Sequence, residues 1–196
     1  MRAHIFLFAL LVIFSSKGLS QKNGLEQKYE SAQKFNALVT QYLDVTQQKD
    51  EVKIKRFVNV NKNEIKSLYQ KALKDYDLLQ SNVLKGKTQK TYDAEFYDYL
   101  LKNGAKKEHI EAFKQVGGPY AILSNHEKYF KEIIDNLNVE SISFNNKLNT
   151  AYVSATWRTY HCIFYFLGAI ACGAIGAAPC AIGGVAAGYG CLARAI

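Results

Sequence analysis

Residues 162–193 read CIFYFLGAIACGAIGAAPCAIGGVAAGYGCLA, thirty-two positions without a charged side chain. An apolar run this long ordinarily marks a membrane-spanning helix, which needs about 20 residues. Pro179 argues against a single helix. It removes a backbone donor and clashes with the preceding turn, and Gly176-Ala177-Ala178 stands just before it. The segment therefore reads as two antiparallel helices joined near residue 176. The chain has four cysteines, Cys162, Cys172, Cys180 and Cys191, all within its last 35 residues. Antiparallel helices pair positions that share a midpoint. Cys172 and Cys180 are centred on residue 176 and Cys162 and Cys191 on 176.5, so one turn brings both pairs together. Cys162 and Cys172 would stand about 15 Å apart along a helix, beyond the roughly 7 Å limit for a disulfide. The crossed pairing has midpoints at 171 and 181.5, which no single turn satisfies. The expectation is nested disulfides, Cys162–Cys191 outside Cys172–Cys180. The competing reading is one kinked helix with four unpaired small residues.

Gly168, Cys172, Gly176, Cys180, Gly184 and Gly188 recur every four residues. Small residues at that spacing let helix backbones approach closely, so Gly168, Gly176, Gly184 and Gly188 are candidate helix-packing positions. Trp157, Arg158, Tyr160 and His161 stand at the entrance of the apolar run, and Tyr189 and Arg194 at its exit. A hairpin collects them at one end. Trp157, Arg158, Tyr160, Tyr189 and Arg194 are thus candidate membrane-interface residues, aromatic rings at headgroup level and arginines toward phosphates. Each arm of about 15–17 residues is shorter than a full bilayer crossing. Partial insertion into lipid, spanning, and burial against protein are all compatible with it. In architecture, over residues 162–191 alone, the tail resembles the helical-hairpin bacteriocins, secreted Gly/Ala-rich cationic peptides tied by nested disulfides. That resemblance implies a membrane-directed activity. Here about 140 helical residues precede the hairpin.

The rest of the chain sets the context. Arg2 and His4 followed by the apolar run Ile5–Phe14 and a small-residue stretch ending at Ser20 read as a secretory signal over residues 1–20. The whole chain of 196 residues carries 25 Lys+Arg against 17 Asp+Glu, a net charge of +8. Without residues 1–20 the balance is 23 to 17, and the last acid is Glu140. The final 56 residues hold only Lys147, Arg158 and Arg194 as charges. Charges over 21–140 are interspersed and nearly balanced, which excludes the concentrated basic face of a nucleic-acid binder. An exported chain with an even cysteine count favours disulfides over thiols. Cysteine steps of 10, 8 and 11 residues lack the close pairs of a zinc site.

Residues 21–157 read as an amphipathic helical domain. Leu25, Tyr29, Ala32, Phe35, Val39 and Tyr42 keep helical spacing, as do Ile65, Leu68, Ala72, Tyr76, Leu79 and Val83 after a cap at Asn63. Val52-Lys53-Ile54-Lys55 alternates and reads as a short extended segment. Thr91 is expected to cap a helix that ends at Asn103-Gly104. A short helix over Glu108–Gln115 is expected to stop at Gly117-Gly118-Pro119. Ser124 with Glu127 forms a capping-box pattern before Phe130, Ile133, Ile134 and Leu137. Helix is expected to continue from Asn138 to Tyr160. The fold class is all-α: a helical bundle followed by a C-terminal Gly/Ala-rich hairpin, residues 158–196, stapled by disulfides.

Catalytic patterns are scarce. No two histidines lie four residues apart and no glycine-rich phosphate loop opens a helix. His109 with Glu108 and Glu111 is the one acid–base grouping, a composition also normal on an exposed helix face. No cofactor and no metal site are expected. The reading is a secreted or envelope, non-enzymatic protein whose hairpin associates with membrane lipid or a protein partner, with homo-oligomers through the small-residue stripe a further outcome. The alternative is a precursor of a bacteriocin-like, membrane-permeabilising peptide.

Overall fold

A computed structural model describes residues 29–47, 50–137 and 155–195. The signal segment, Leu25 and the expected helix over residues 138–154 lie outside the described residues. Within them the protein is all-α, with eight helices: α1 Glu30–Gln47, α2 Glu51–Val83, α3 Gln89–Lys102, α4 Lys107–Gln115, α5 Gly118–Ser124, α6 His126–Leu137, α7 Ala155–Ala174 and α8 Ala178–Ala195.

α1 and α2 form an antiparallel pair. Tyr42 meets Phe57 near the connection, while at the far end Asn82 Nδ2 donates to the Tyr29 hydroxyl at 3.3 Å. Asp75 of α2 accepts from the Ala32 amide at 3.0 Å, placing a carboxylate on the amide end of α1 where the helix dipole favours it. The alternating Val52–Lys55 stretch is helical and not extended. Asp50 is the N-cap, its carboxylate accepting from the Val52 and Lys53 amides at 3.1 and 3.2 Å. Once that cap starts the helix, no Gly or Pro interrupts it before Lys85, so Asn63 lies inside α2 and caps nothing.

Thr88, not Thr91, caps α3. Thr91 occupies the third helical position, and its hydroxyl oxygen accepts from the Thr88 amide while its own amide donates to the Thr88 hydroxyl, a reciprocal box made by two threonines. α3 ends at Asn103 and Gly104 as expected, with Gly104 at φ 97°. The Ser124–Glu127 capping box does not form. Ser124 belongs to α5, which starts at Gly118-Pro119 and ends when the Asn125 side chain bonds back to the Ala121 carbonyl at 2.7 Å.

α7 lies against α1 and α5, and α8 against α4. One hydrophobic cluster runs from Tyr29 to Leu192, and the C-terminal helices supply its centre: Phe164, Phe166, Leu167 and Ile170 are fully buried. Phe166 stacks on Phe113 of α4 with centroids 4.5 Å apart, and Phe164 stacks on Phe130 of α6 at 5.8 Å. Each such side chain contributes roughly 1.5–3 kcal/mol on burial. The hairpin is the centre of the bundle's core and not an appendage to it.

Candidate functional site

The chemistry that the sequence concentrates in its tail is organised by the α7–α8 turn. α7 closes with Gly176 at φ 74°, its amide donating to the Gly173 carbonyl at 3.0 Å while the Ala177 amide donates to Cys172 at 2.9 Å. This is the Schellman arrangement, which requires a left-handed residue that glycine adopts without a Cβ penalty. Pro179 is the second residue of α8, where a missing donor costs nothing because the first turn has no intrahelical acceptor. The proline starts a helix. The two disulfides are nested, Cys162–Cys191 with Cα atoms 5.5 Å apart and Cys172–Cys180 at 5.7 Å. Two disulfides fit an oxidising, extracytoplasmic compartment.

The four candidate packing glycines separate into three roles. A Cβ on Gly184 would stand 3.0 Å from Ala169 Cβ and from the Tyr165 carbonyl oxygen, so this glycine sets the α7–α8 approach. Gly188 lies on the Phe166 ring, 2.6 Å from a would-be Cβ. Gly168 faces the Asn36 side chain of α1 instead of α8, and Gly176 makes the turn.

At the base of the hairpin the candidate interface residues take different surroundings. Trp157, Arg158 and Tyr160 occupy the first turns of α7, and their side chains lie outside the described residues. Tyr189 is 38% exposed and packs its ring on His109 at 5.3 Å. Arg194 is exposed at the end of α8, and its charge acts on Asp44 and Tyr165. The Tyr165 hydroxyl donates to Asp44 at 2.8 Å and so ties the hairpin to α1. Burial pushes the Asp44 carboxyl up, opposed by the Tyr165 hydroxyl and by Arg194. Burial, reinforced by Asp44, also pushes the Tyr165 hydroxyl up.

The acid–base grouping around His109 is not assembled. Glu108 lies 3.9 Å from Lys106 and Glu111 2.7 Å from Lys114, while the His109 ring turns to Tyr189, with burial pushing its imidazole down. A second histidine, unremarked in the sequence, is more tightly held. His126 is buried, with Nδ1 2.7 Å from the Leu123 carbonyl and Nε2 3.0 Å from Asp77 Oδ1. A carbonyl only accepts, so Nδ1 carries a proton. Asp77 and His126 are 49 residues apart, and the only signal was that His126 shares a face with Phe130 and Ile133. Asp77 also lines an open hollow of about 340 Å³ with Gln80, Ser81, Leu84, Lys85 and Tyr120.

No protein-family model, curated protein or solved structure matches this chain. Among the described residues, no helix is long and apolar enough to cross a membrane.

Proposed function

We propose that this is an extracytoplasmic, non-enzymatic protein that docks through its disulfide-tied hairpin while the bundle stays folded. The supporting observation is the outer side of α8. Its inner side is consumed by the core, but Ile182, Gly183, Ala186, Ala187 and Gly190 remain half-exposed, with Tyr189 exposed beside them. From Cys180 to Ala193 this helix has no charge, and Arg194 closes it. Nothing within 4 Å would oppose a Cβ on Gly183 or Gly190, so the face is smooth and open. A lipid surface with anionic headgroups suits such a face, apolar contact along the helix and Arg194 on phosphate. Co-sedimentation of the oxidised full chain with anionic vesicles tests this. Binding that Ala187→Asp or Gly190→Asp removes, with an unchanged circular dichroism spectrum, supports lipid docking. Vesicle binding that these substitutions leave intact, or no binding at all, removes it.

A second reading, a precursor of a membrane-permeabilising peptide, draws support from the disulfide pattern. Both bonds begin and end inside the hairpin, so a single cut before α7 would free a covalently closed unit. Unreduced intact mass of the protein from cells and from medium decides it. An oxidised C-terminal fragment in the medium supports the precursor, and only intact chain in both fractions counts against it.

A further inference from the structure

The two disulfides differ in what can reach them and in what depends on them. Cys162 and Cys191 are 0% and 1% exposed, inside the hydrophobic cluster. Cys172 is 5% exposed, but its partner Cys180 lies on the surface at the hairpin tip, flanked by exposed Gly176 and Pro179. Of the four cysteines only Cys180 is an exposed residue, so it is the one an external thiol meets at the surface. The turn beside it is secured without the Cys172–Cys180 bond: the Gly176 and Ala177 amides are satisfied by Gly173 and Cys172 carbonyls, Pro179 opens α8, and Cys162–Cys191 holds the far end of the hairpin. An accessible disulfide whose opening leaves the fold closed is suited to reversible exchange.

We infer that Cys180 is a thiol-exchange site, at which a low-molecular-weight thiol opens the Cys172–Cys180 bond while Cys162–Cys191 stays closed. The external thiolate attacks Cys180 Sγ, forming a mixed disulfide there, and the Cys172 sulfur leaves as a thiolate that takes a proton from water. A second external thiolate attacks the sulfur of the first external molecule. This releases the external disulfide and leaves Cys180 as the thiolate, so two external thiols are oxidised and one protein disulfide is reduced. The site is independent of the docking reading, because it needs only the exposed tip.

The test is a titration of the folded, oxidised full chain with reduced glutathione, followed by acid quench, alkylation and peptide mapping. The expected result is glutathione on Cys180, then alkylated Cys172 and Cys180, at concentrations that leave Cys162–Cys191 intact and the helical spectrum unchanged. Reduction of Cys162–Cys191 first, opening of both bonds in one step, or glutathione attached first to Cys172 overturns the assignment. Two single variants separate access from folding. Free Cys180 in Cys172→Ser is expected to react with an alkylating reagent about tenfold faster than free Cys172 in Cys180→Ser. Equal rates in two folded variants overturn it as well.

Discussion

At the scale of single residues, the glycines of α8 carry opposite expectations that their spacing alone does not separate. Gly188 is in contact with Phe166, and Phe166 is locked against Phe113, so a larger residue has nowhere to push the ring. Gly188→Val is expected to cost about 1–3 kcal/mol in denaturant unfolding. Gly183 and Gly190 face open space in a helical conformation, so Gly183→Ala is expected to stabilise the protein by about 0.5–1 kcal/mol. If both changes destabilise alike, α8 does not sit as described. His126→Phe keeps the packing with Tyr76 and Phe130 but removes the imidazole contacts to the Leu123 carbonyl and to Asp77. Its expected cost is about 1–3 kcal/mol, measured the same way.

At the scale of elements, the hairpin and its two bonds are unequal in their effects. The bond across 29 residues removes more entropy from the unfolded chain than the bond across eight. Replacing Cys162 and Cys191 together is expected to cost about 3–4 kcal/mol, and replacing Cys172 and Cys180 about 2–3 kcal/mol. Thermal melts of the two double variants should therefore rank in that order. Removing the hairpin altogether has a larger effect. A chain ending at residue 158 loses Phe164, Phe166, Leu167 and Ile170 from the centre of the core. It is expected to lose its cooperative melt and to bind an apolar dye, whereas a detachable anchor would leave the remaining helices folded.

At the scale of the whole molecule, buried ionisable groups set the response to pH. Burial pushes up the hydroxyls of Tyr76, Tyr92, Tyr97 and Tyr165. In the unfolded chain these tyrosines ionise near pH 10, while in the folded protein they keep their protons. Their contribution is therefore complete below about pH 10 and is lost as pH rises through that value and beyond. Alkaline titration followed by tyrosinate absorbance should show a normally titrating set and a second set that appears only with cooperative unfolding. Burial likewise pushes up the carboxyls of Asp44, Asp75, Asp93 and Glu132. These groups hold protons more tightly in the folded state, so they favour folding as pH falls toward the ordinary carboxylate range and oppose it above that range. Asp44→Asn is expected to flatten this acid-side gain in a pH series of denaturant midpoints, because it keeps an acceptor for Tyr165 without an ionisable carboxyl.

Much of this architecture is local and was legible in residue order. Tyr29 just before α1, Phe35, Val39 and Tyr42 in α1, and Ile65, Tyr76 and Leu79 in α2, are buried at the helical spacing they display. The turn at Gly176 and the nested cysteines followed from one constraint, that antiparallel helices pair positions about a shared midpoint. Helix starts were less legible, because Asp50 and Thr88 compete with Asn63 and Thr91, and each choice turns on which side chain reaches which amide. Only the tertiary structure decided that the hairpin faces inward. Apolar side chains are satisfied equally by lipid and by a protein interior, so periodicity identifies the face to be covered and not what covers it. The covering groups, Phe113, Phe130, Asn36 and Asp44, reach α7 from 30 to more than 120 residues away, a distance in sequence that no local pattern records.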